Sequence, residues 1–136
     1  MKSNRGKLIG LKRSPYKEES YDSDLEKYYM AELESMPGVK TWTKKHNIKI
    51  PYNFLFIKKN YLPDFLVEFN DGSKEIHETK GLPFLFLLST KLKKVSAEEY
   101  CRKLGWKYIF ITKDKAVFYK NNFLSSALGK IQDIKE

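Results

Sequence analysis

The chain has 136 residues, of which 41% are hydrophobic and 32% charged, and its formal net charge is +9. This length and composition predict one folded domain and exclude a collagen, an acidic disordered tail and a disulfide scaffold. The lone cysteine, Cys101, indicates a reducing compartment, so we expect a cytoplasmic protein, or one of the host cytoplasm if a phage encodes it. We expect no signal peptide and no membrane span, because the longest apolar run, residues 82–88, is far shorter than the roughly 20 residues that a bilayer requires. The positive charge favours a polyanionic partner, of which nucleic acid is the commonest.

The chain opens on a basic segment, residues 1–19, which lacks periodicity. We expect it to be a partly disordered arm that precedes a single domain at 20–136. The first helix is predicted over 23–36, because Ser23 and Glu26 have the spacing of an N-terminal capping box. Its apolar stripe recurs at helical spacing and consists of Leu25, Tyr29, Leu33 and Met36.

Strands dominate the middle of the chain, and a second helix follows them. The predicted strands are 39–42, 48–50, 54–57, 61–69 and 74–80, with a lysine-rich turn at 58–60 and an Asn-Asp-Gly-Ser turn at 70–73. The second helix is predicted over 90–104 with Gly105 as its C-cap, before a strand at 106–112. A strand at 116–119 and a helix at 122–131 precede a charged tail. This order predicts an α/β fold whose mixed central sheet is flanked by helices.

Ionisable residues gather on the hairpin that precedes the second helix. Glu78 and Lys80 share a face, because side chains alternate along a strand. A three-residue turn at 71–73 would pair Asp64 with Lys80 and place it on the same face, whereas a two-residue turn would place it on the other. We favour the three-residue turn, which is a common hairpin type when it contains glycine. His77 points to the opposite face and is expected to be structural.

Two carboxylates beside a lysine suit the cleavage of a phosphodiester bond. Carboxylate oxygens are ligands for a hard cation such as Mg²⁺. The cation can polarise the phosphate and lower the pKa of a bound water, and the lysine can hold or deprotonate that water. The sequence therefore predicts a nuclease site at Asp64, Glu78 and Lys80.

The residues Pro63-Asp64, followed by Glu78-Thr79-Lys80 on the next strand, resemble the motif of the PD-(D/E)XK nuclease superfamily. The resemblance implies a restriction-endonuclease-like core of order α-β-β-β-α-β. It also implies that Asp64 and Glu78 bind Mg²⁺, or Mn²⁺ as a substitute, with the carbonyl of Thr79 completing the metal shell. Lys80 would support the nucleophilic water, and the products would carry 5′-phosphate and 3′-hydroxyl ends.

The chain resembles the TnsA-like branch of that superfamily, which includes transposon end-cleaving subunits and small phage endonucleases. Residues 48–52 (IKIPY), 61–65 (YLPDF) and 78–81 (ETKG) fit this branch in order, and the resemblance covers about residues 20–113. The branch implies a further glutamate on the first helix, here Glu26, as a supporting metal ligand.

DNA is the expected partner, and basic residues outside the motif are expected to contact its backbone. These are Lys12 and Arg13 in the arm and Lys91, Lys93 and Lys94 in the second helix. The apolar run at 82–88 is either buried under that helix or covered by a second subunit, which leaves a homodimer open.

Four functions remain in competition on the sequence alone. The first is a Mg²⁺-dependent DNA endonuclease, and the second is a resolvase of branched DNA with the same metal site. The third is a nuclease subunit that acts only with a transposase, phage or restriction partner. The fourth is a non-catalytic DNA-binding or phage assembly protein of the same fold. The excess of lysine over arginine is consistent with a phage or mobile element, whose genomes are often AT-rich.

Overall fold

A four-stranded mixed sheet forms the centre of the protein. The computed structural model describes residues 4–80, 87–112 and 131–136. The strands of this sheet, in spatial order, are β3 (Val39–Thr43), β6 (Phe65–Phe69), β7 (Lys74–Lys80) and β8 (Lys107–Thr112). The first three run antiparallel, whereas β7 and β8 are parallel because helix α2 (Leu88–Leu104) connects them. The predicted α/β class with a mixed central sheet flanked by helices is confirmed.

One face of the central sheet is covered by helix α1 (Asp24–Ser35). The helix begins where the sequence predicts, since the Ser23 side chain accepts a hydrogen bond from the backbone N–H of Glu26. Its apolar stripe packs on the sheet within one buried cluster. The cluster consists of Leu8, Leu11, Tyr21, Leu25, Tyr29, Met30, Leu33, Val39, Trp42, Phe65, Val67 and Ile111.

The opposite face is covered by α2 and by a hairpin of two strands, β4 (Ile50–Phe54) and β5 (Ile57–Tyr61). Helix α2 ends at Gly105 with a φ of 72°, as the predicted glycine C-cap requires. A second buried cluster joins hairpin, sheet and helix. Its members are Ile50, Tyr52, Tyr61, Ile76, Ala97 and Cys101.

The expectation of a disordered arm is wrong for the described part of the N-terminal segment. Strand β1 (Gly6–Ile9) pairs with β2 (Glu18–Tyr21) on one side and with β9 (Gln132–Lys135) on the other, so the expected charged tail is a strand as well. Leu8 and Leu11 are buried in the α1 cluster. Their burial and the backbone pairing with a distant segment order the arm, and neither is visible in its local composition.

The expected strand at 54–57 and lysine-rich turn at 58–60 are also wrong. Leu55 and Phe56 form the two-residue turn of the β4–β5 hairpin, with φ values of 50° and 70°. Two-residue turns of this kind favour asparagine and glycine. An apolar pair gives no turn signal, which is why the sequence placed the strand across the turn.

Several sequence predictions lie outside the described residues. These are the structure of 81–86, which contains most of the apolar run, the strand at 116–119 and all but the last residue of the helix predicted at 122–131. Within the described ranges, neither helix is long and apolar enough to cross a membrane.

Candidate active site

A tight turn sets the register of the β6–β7 hairpin. The backbone N–H of Phe69 donates to the carbonyl of Ser73 at 2.9 Å, which leaves a three-residue turn at 70–72. Gly72 adopts a φ of 88°, and the Asp71 carboxylate accepts hydrogen bonds from the backbone N–H and the hydroxyl of Ser73. The turn therefore has three residues, as predicted, but begins one residue earlier.

This register places the two carboxylates of the motif on neighbouring strands. Phe65 pairs with His77, so Asp64 lies opposite Glu78. The predicted partner of Asp64 was Lys80, which is wrong by two residues. A shift of two residues along a strand preserves the face, so this register keeps the parity on which the expected shared face depends. The Asp64 carboxylate itself reaches Thr79, the residue between Glu78 and Lys80.

Backbone and side-chain hydrogen bonds hold Asp64 against β7. Its backbone N–H donates to Oε1 of Glu78 at 2.9 Å. Its Oδ2 accepts two hydrogen bonds from Thr79, from the backbone N–H at 2.9 Å and from Oγ1 at 2.8 Å. Asp64 and Glu78 are thus locked in one orientation relative to each other.

Lys80 completes the motif through an ion pair with Glu78. Its Nζ lies 3.2 Å from Oε2 of Glu78, whose side chain is only 3% exposed. Burial and the nearby charge of Asp64 raise the pKa of Glu78 to about 7, against the opposing effects of Lys80 and Tyr61. Burial and the neighbouring carboxylate together therefore outweigh the stabilisation of the Glu78 charge by Lys80.

Helix α1 brings Glu26 to this site, and a lysine that the sequence did not single out binds it. Lys44, just after β3, forms an ion pair with Oε1 of Glu26, and its Nζ lies 3.8 Å from the Asp22 carboxylate. Burial and the charge of Asp64 raise the pKa of Glu26, while Lys44 opposes the rise. Burial alone would lower the pKa of Lys44, but the Glu26 carboxylate outweighs it and the pKa is raised.

A second residue that the sequence missed is Tyr61 at the end of β5. Its hydroxyl lies 3.0 Å from that of Tyr108 and within hydrogen-bonding reach of Glu78. Burial and the Glu78 charge raise its pKa, so it stays a neutral donor. Lys44 belongs to no local motif, and although Tyr61 opens the YLPDF segment, no local signal assigns it to the site. Only the packing of distant segments brings Tyr61 near Glu78 and Lys44 to Glu26.

The predicted DNA-contacting lysines of α2 lie at different distances from this cluster. Lys93 is half-buried with its Nζ over the rings of Tyr52 and Tyr61, at 5.9 and 5.8 Å from their centroids. Burial and the charge of Lys80 lower its pKa. Lys91 is exposed, and Lys94 lies over the ring of Phe110. Lys93 is therefore the member of this set that borders the candidate site.

The two residues of the arm that were predicted to contact DNA, Lys12 and Arg13, differ in how far their side chains are already bonded within the protein. The guanidinium of Arg13 donates to the carbonyls of Glu34 and Val39, at 2.8 and 2.5 Å, next to the end of α1. Lys12 is exposed and uses only its backbone N–H to bind Glu34. The Glu34 carbonyl lies in the last turn of α1, where it needs a donor, so Arg13 fastens the arm to α1. Its contact with DNA stays a prediction.

His77 lies on the opposite face of β7, as predicted. Its Nε2 lies 2.8 Å from Oε1 of Glu75, and its Nδ1 forms a hydrogen bond with the Tyr29 hydroxyl. Burial lowers its pKa even against the charge of Glu75. These contacts fasten α1 to the sheet and agree with a structural role.

The donor chemistry of the site fits a hard divalent cation bound by two carboxylates. In the part of the chain that the structure describes, no three His, Cys, Asp or Glu side chains converge as a metal cage. Asp64 and Glu78 offer oxygen donors, and the charge of Asp64 raises the pKa of Glu78 and Glu26 alike. A cation between the carboxylates would relieve this repulsion. Glu26 is engaged by Lys44 and lies outside the minimal donor pair.

The mixed sheet, the crossover helix and the carboxylate–lysine cluster together define a nuclease-type α/β domain. The family model described as TnsA-like endonuclease N terminal matches residues 36–113, more than half of the chain. The chain belongs to this family, which is part of the restriction-endonuclease-like PD-(D/E)XK nuclease superfamily. The match includes Asp64, Glu78 and Lys80 and begins after α1, so it does not reach Glu26. The search of curated proteins found no match.

Proposed function

We propose that the protein is a divalent-metal-dependent DNA endonuclease that hydrolyses phosphodiester bonds to 5′-phosphate and 3′-hydroxyl ends. The observation that carries this proposal is the hydrogen-bonded arrangement of Asp64, Glu78 and Lys80 at one end of the β6–β7 hairpin. Membership of a TnsA-like endonuclease family supports the reaction class.

Asp64 and Glu78 would hold Mg²⁺, or Mn²⁺ in its place, with the backbone carbonyl of Thr79 as a further ligand. A bound divalent cation supplies the charge that polarises a phosphodiester and lowers the pKa of a water ligand. The protein keeps both carboxylates in place before the cation arrives, because Thr79 fixes Asp64 and the backbone of Asp64 fixes Glu78. Such preorganisation lowers the reorganisation needed for binding.

Lys80 would hold the attacking water and help to remove its proton. The ion pair with Glu78 orients the ammonium group along the same face as the carboxylates. A positive charge at this place also offsets the negative charge that develops on the phosphate in the transition state.

Glu26 would act as a supporting acid whose availability depends on Lys44. In the described arrangement the Lys44 ammonium neutralises Glu26. Direct metal ligation by Glu26 therefore requires that Lys44 move away, for instance toward Asp22 or a DNA phosphate. The alternative within this proposal is that Lys44 and Glu26 act as a fixed pair that tunes the charge around Asp64.

DNA would lie across the edge of the sheet that carries the site. Lys93 borders the carboxylates, and Lys12, Lys91 and Lys94 contribute more distant positive charge. Each phosphate contact releases counterions, so the affinity for DNA should fall steeply as salt concentration rises.

Metal titration by calorimetry tests the site without depending on a chosen DNA. Wild type is expected to bind Mg²⁺ or Mn²⁺, and Asp64→Asn to lose the heat of binding. Asp71→Asn is the matched control, since Asp71 is an exposed aspartate at the other end of the same hairpin. Equal heats in all three proteins, or none in any, would contradict the metal site and favour the non-catalytic function.

Cleavage of a DNA panel then identifies the subclass. The panel holds supercoiled plasmid, linear duplex, single strand, a flap and a four-way junction, each with Mg²⁺ and with Mn²⁺. Cutting by wild type that Asp64→Asn lacks supports an endonuclease, and preference for the junction selects the resolvase. Metal binding without cleavage of any substrate would indicate a nuclease subunit that needs a transposase or phage partner, or a second copy of itself.

A further inference from the structure

The tip of the β4–β5 hairpin has a combination of features that packing does not explain. Phe56 is fully exposed, and Leu55 and Ile57 are more than half exposed. Leu55 and Phe56 both adopt positive φ, which is unfavourable for large side chains. Large apolar residues that are both strained and solvated add nothing to the core, so a role in binding accounts for them better.

The charge around this tip selects nucleic acid as its partner. The whole stretch from 41 to 63 contains five lysines and no aspartate or glutamate. Lys58 and Lys59 lie on β5, and Lys49 directly precedes β4. None of the three forms an ion pair with a described carboxylate. A phosphate backbone on both sides of the tip would repel acidic residues, so a DNA-binding segment should lack them. A protein partner with an apolar pocket would not require a segment without aspartate and glutamate.

The base of the hairpin reaches the candidate site directly. The ring of Tyr61, the last residue of β5, lies 5.8 Å from Nζ of Lys93, which borders the site. The positive charge of Lys59, on the same face of β5 as Tyr61, helps to lower the pKa of Lys93. Tyr61 is five residue steps from Phe56, which is about 17 Å along an extended strand. This length corresponds to roughly five base steps of about 3.4 Å along one strand of DNA.

We propose that Phe56, supported by Leu55, inserts between stacked bases of the DNA as an apolar wedge, while Lys58 and Lys59 bind the flanking phosphates. Apolar side chains that partly unstack a base step and bend the duplex are an established mode of DNA binding. Insertion would deform the duplex at one base step. That step would lie several base pairs from the phosphodiester bond at Asp64, Glu78 and Lys80. The inference rests on the proposed function, since it takes DNA as the substrate.

The test measures permanganate oxidation of thymines, which reports unstacked bases, in duplexes with thymines at successive positions. It uses the full chain carrying Lys80→Ala and no added metal, so that binding is observed without cleavage. The wedge variant is Leu55→Asn with Phe56→Gly, the pair that a two-residue turn of this geometry favours. This variant should fold at least as well as its parent, which thermal melting checks. Val95→Ala, which shortens an exposed apolar side chain on α2, is the matched control.

The expected result is a several-fold rise in oxidation at one or two adjacent thymines, absent with the wedge variant and kept with Val95→Ala. DNA binding without enhanced oxidation, or enhancement that survives in the wedge variant, would overturn the wedge. Cleavage by wild type in the panel above would then still support the endonuclease.

A lack of any DNA binding would also overturn the wedge, and the metal titration would then decide separately whether the proposed metal site is correct. Loss of self-association in the wedge variant with unchanged oxidation would assign the tip to contact between copies of the chain, which overturns the proposal too.

Discussion

The β4–β5 and β6–β7 hairpins are neighbours in the chain, but their turns follow different rules. The β6–β7 turn contains Gly72 at a φ of 88° and Asp71 bound to Ser73, which is the chemistry that a tight turn favours. The β4–β5 turn places Leu55 and Phe56 at positive φ and in solvent. The first hairpin was readable from sequence and the second was not.

The difference between the hairpins lies in what each turn has to do. The β6–β7 turn sets the register that places Asp64 opposite Glu78, so any slip would destroy the site. The β4–β5 turn has no such role in register for the carboxylates, and its residues are unfavourable for the turn that they form. Local sequence and local structure disagree most often where a residue is kept for function, which agrees with a binding role for the tip.

The largest expected effect comes from removing the lysine at the base of the β6–β7 hairpin. Lys80→Ala should lower the cleavage rate by about 10²- to 10⁴-fold, because in the proposed mechanism it removes the group that would hold the water and help to deprotonate it. Lys74→Ala is the matched control on the same face of the same strand, at its other end, and should retain activity. Single-turnover cleavage at saturating metal measures both. Equal loss in the two variants would show that the effect is not chemical.

The next effect concerns the free energy of unfolding without metal. Glu78 holds its proton to a pH of about 7 when folded, against 4.5 for an ordinary glutamate, so the folded state binds more protons between these values. Stability should therefore fall as pH rises from about 4.5 to about 7, by on the order of 3 kcal/mol in total. Glu78→Gln should flatten this slope and be more stable than wild type at pH 8. Urea unfolding at several pH values measures the slope of stability against pH. The same slope in wild type and Glu78→Gln would refute the raised pKa of Glu78.

The proton on Glu78 would compete with the proposed metal ion. A cation binds the ionised carboxylate, so the affinity of wild type for Mg²⁺ should rise as pH increases through about 7. Calorimetry at pH 6, 7 and 8 checks this expectation. An affinity that does not change over this range would mean that Glu78 is already ionised at pH 6.

Substitutions in the two turns should change stability in opposite directions. Gly72→Ala should destabilise by about 1 kcal/mol or more, because alanine disfavours a positive φ. Leu55→Asn with Phe56→Gly should stabilise by roughly the same amount, since it replaces bulky residues in left-handed conformations. Urea midpoints at one pH compare them. Destabilisation by both would show that Leu55 and Phe56 pack in the folded protein, contrary to their exposure.

The smallest expected effect is on the salt dependence of DNA binding. Lys58→Ala should lower the slope of log affinity against log salt by about 1, the value for one lost phosphate contact. Lys107→Ala, on an exposed lysine at the far end of β8, should leave the slope unchanged. Filter binding at several salt concentrations measures the slopes. Identical slopes would place the DNA away from the β4–β5 hairpin.

The amino-acid sequence by itself determined the elements and the motif. Helical spacing and the Ser23 cap located α1, glycines located the end of α2 and the β6–β7 turn, and alternation placed Glu78 and Lys80 on one face. All of these signals are local, because capping, turn chemistry and side-chain alternation act over a few residues.

Only the tertiary structure decided the contacts between distant segments. It ordered the arm by pairing β1 with β9, bound Arg13 to the carbonyls of Glu34 and Val39, and brought Lys44 to Glu26 and Tyr61 near Glu78. The physical reason is that these residues carry no periodic or turn signal, and their energies depend on burial and on charges that are remote in the chain. Burial and neighbouring charge likewise raise the pKa of Glu78, which no local pattern encodes.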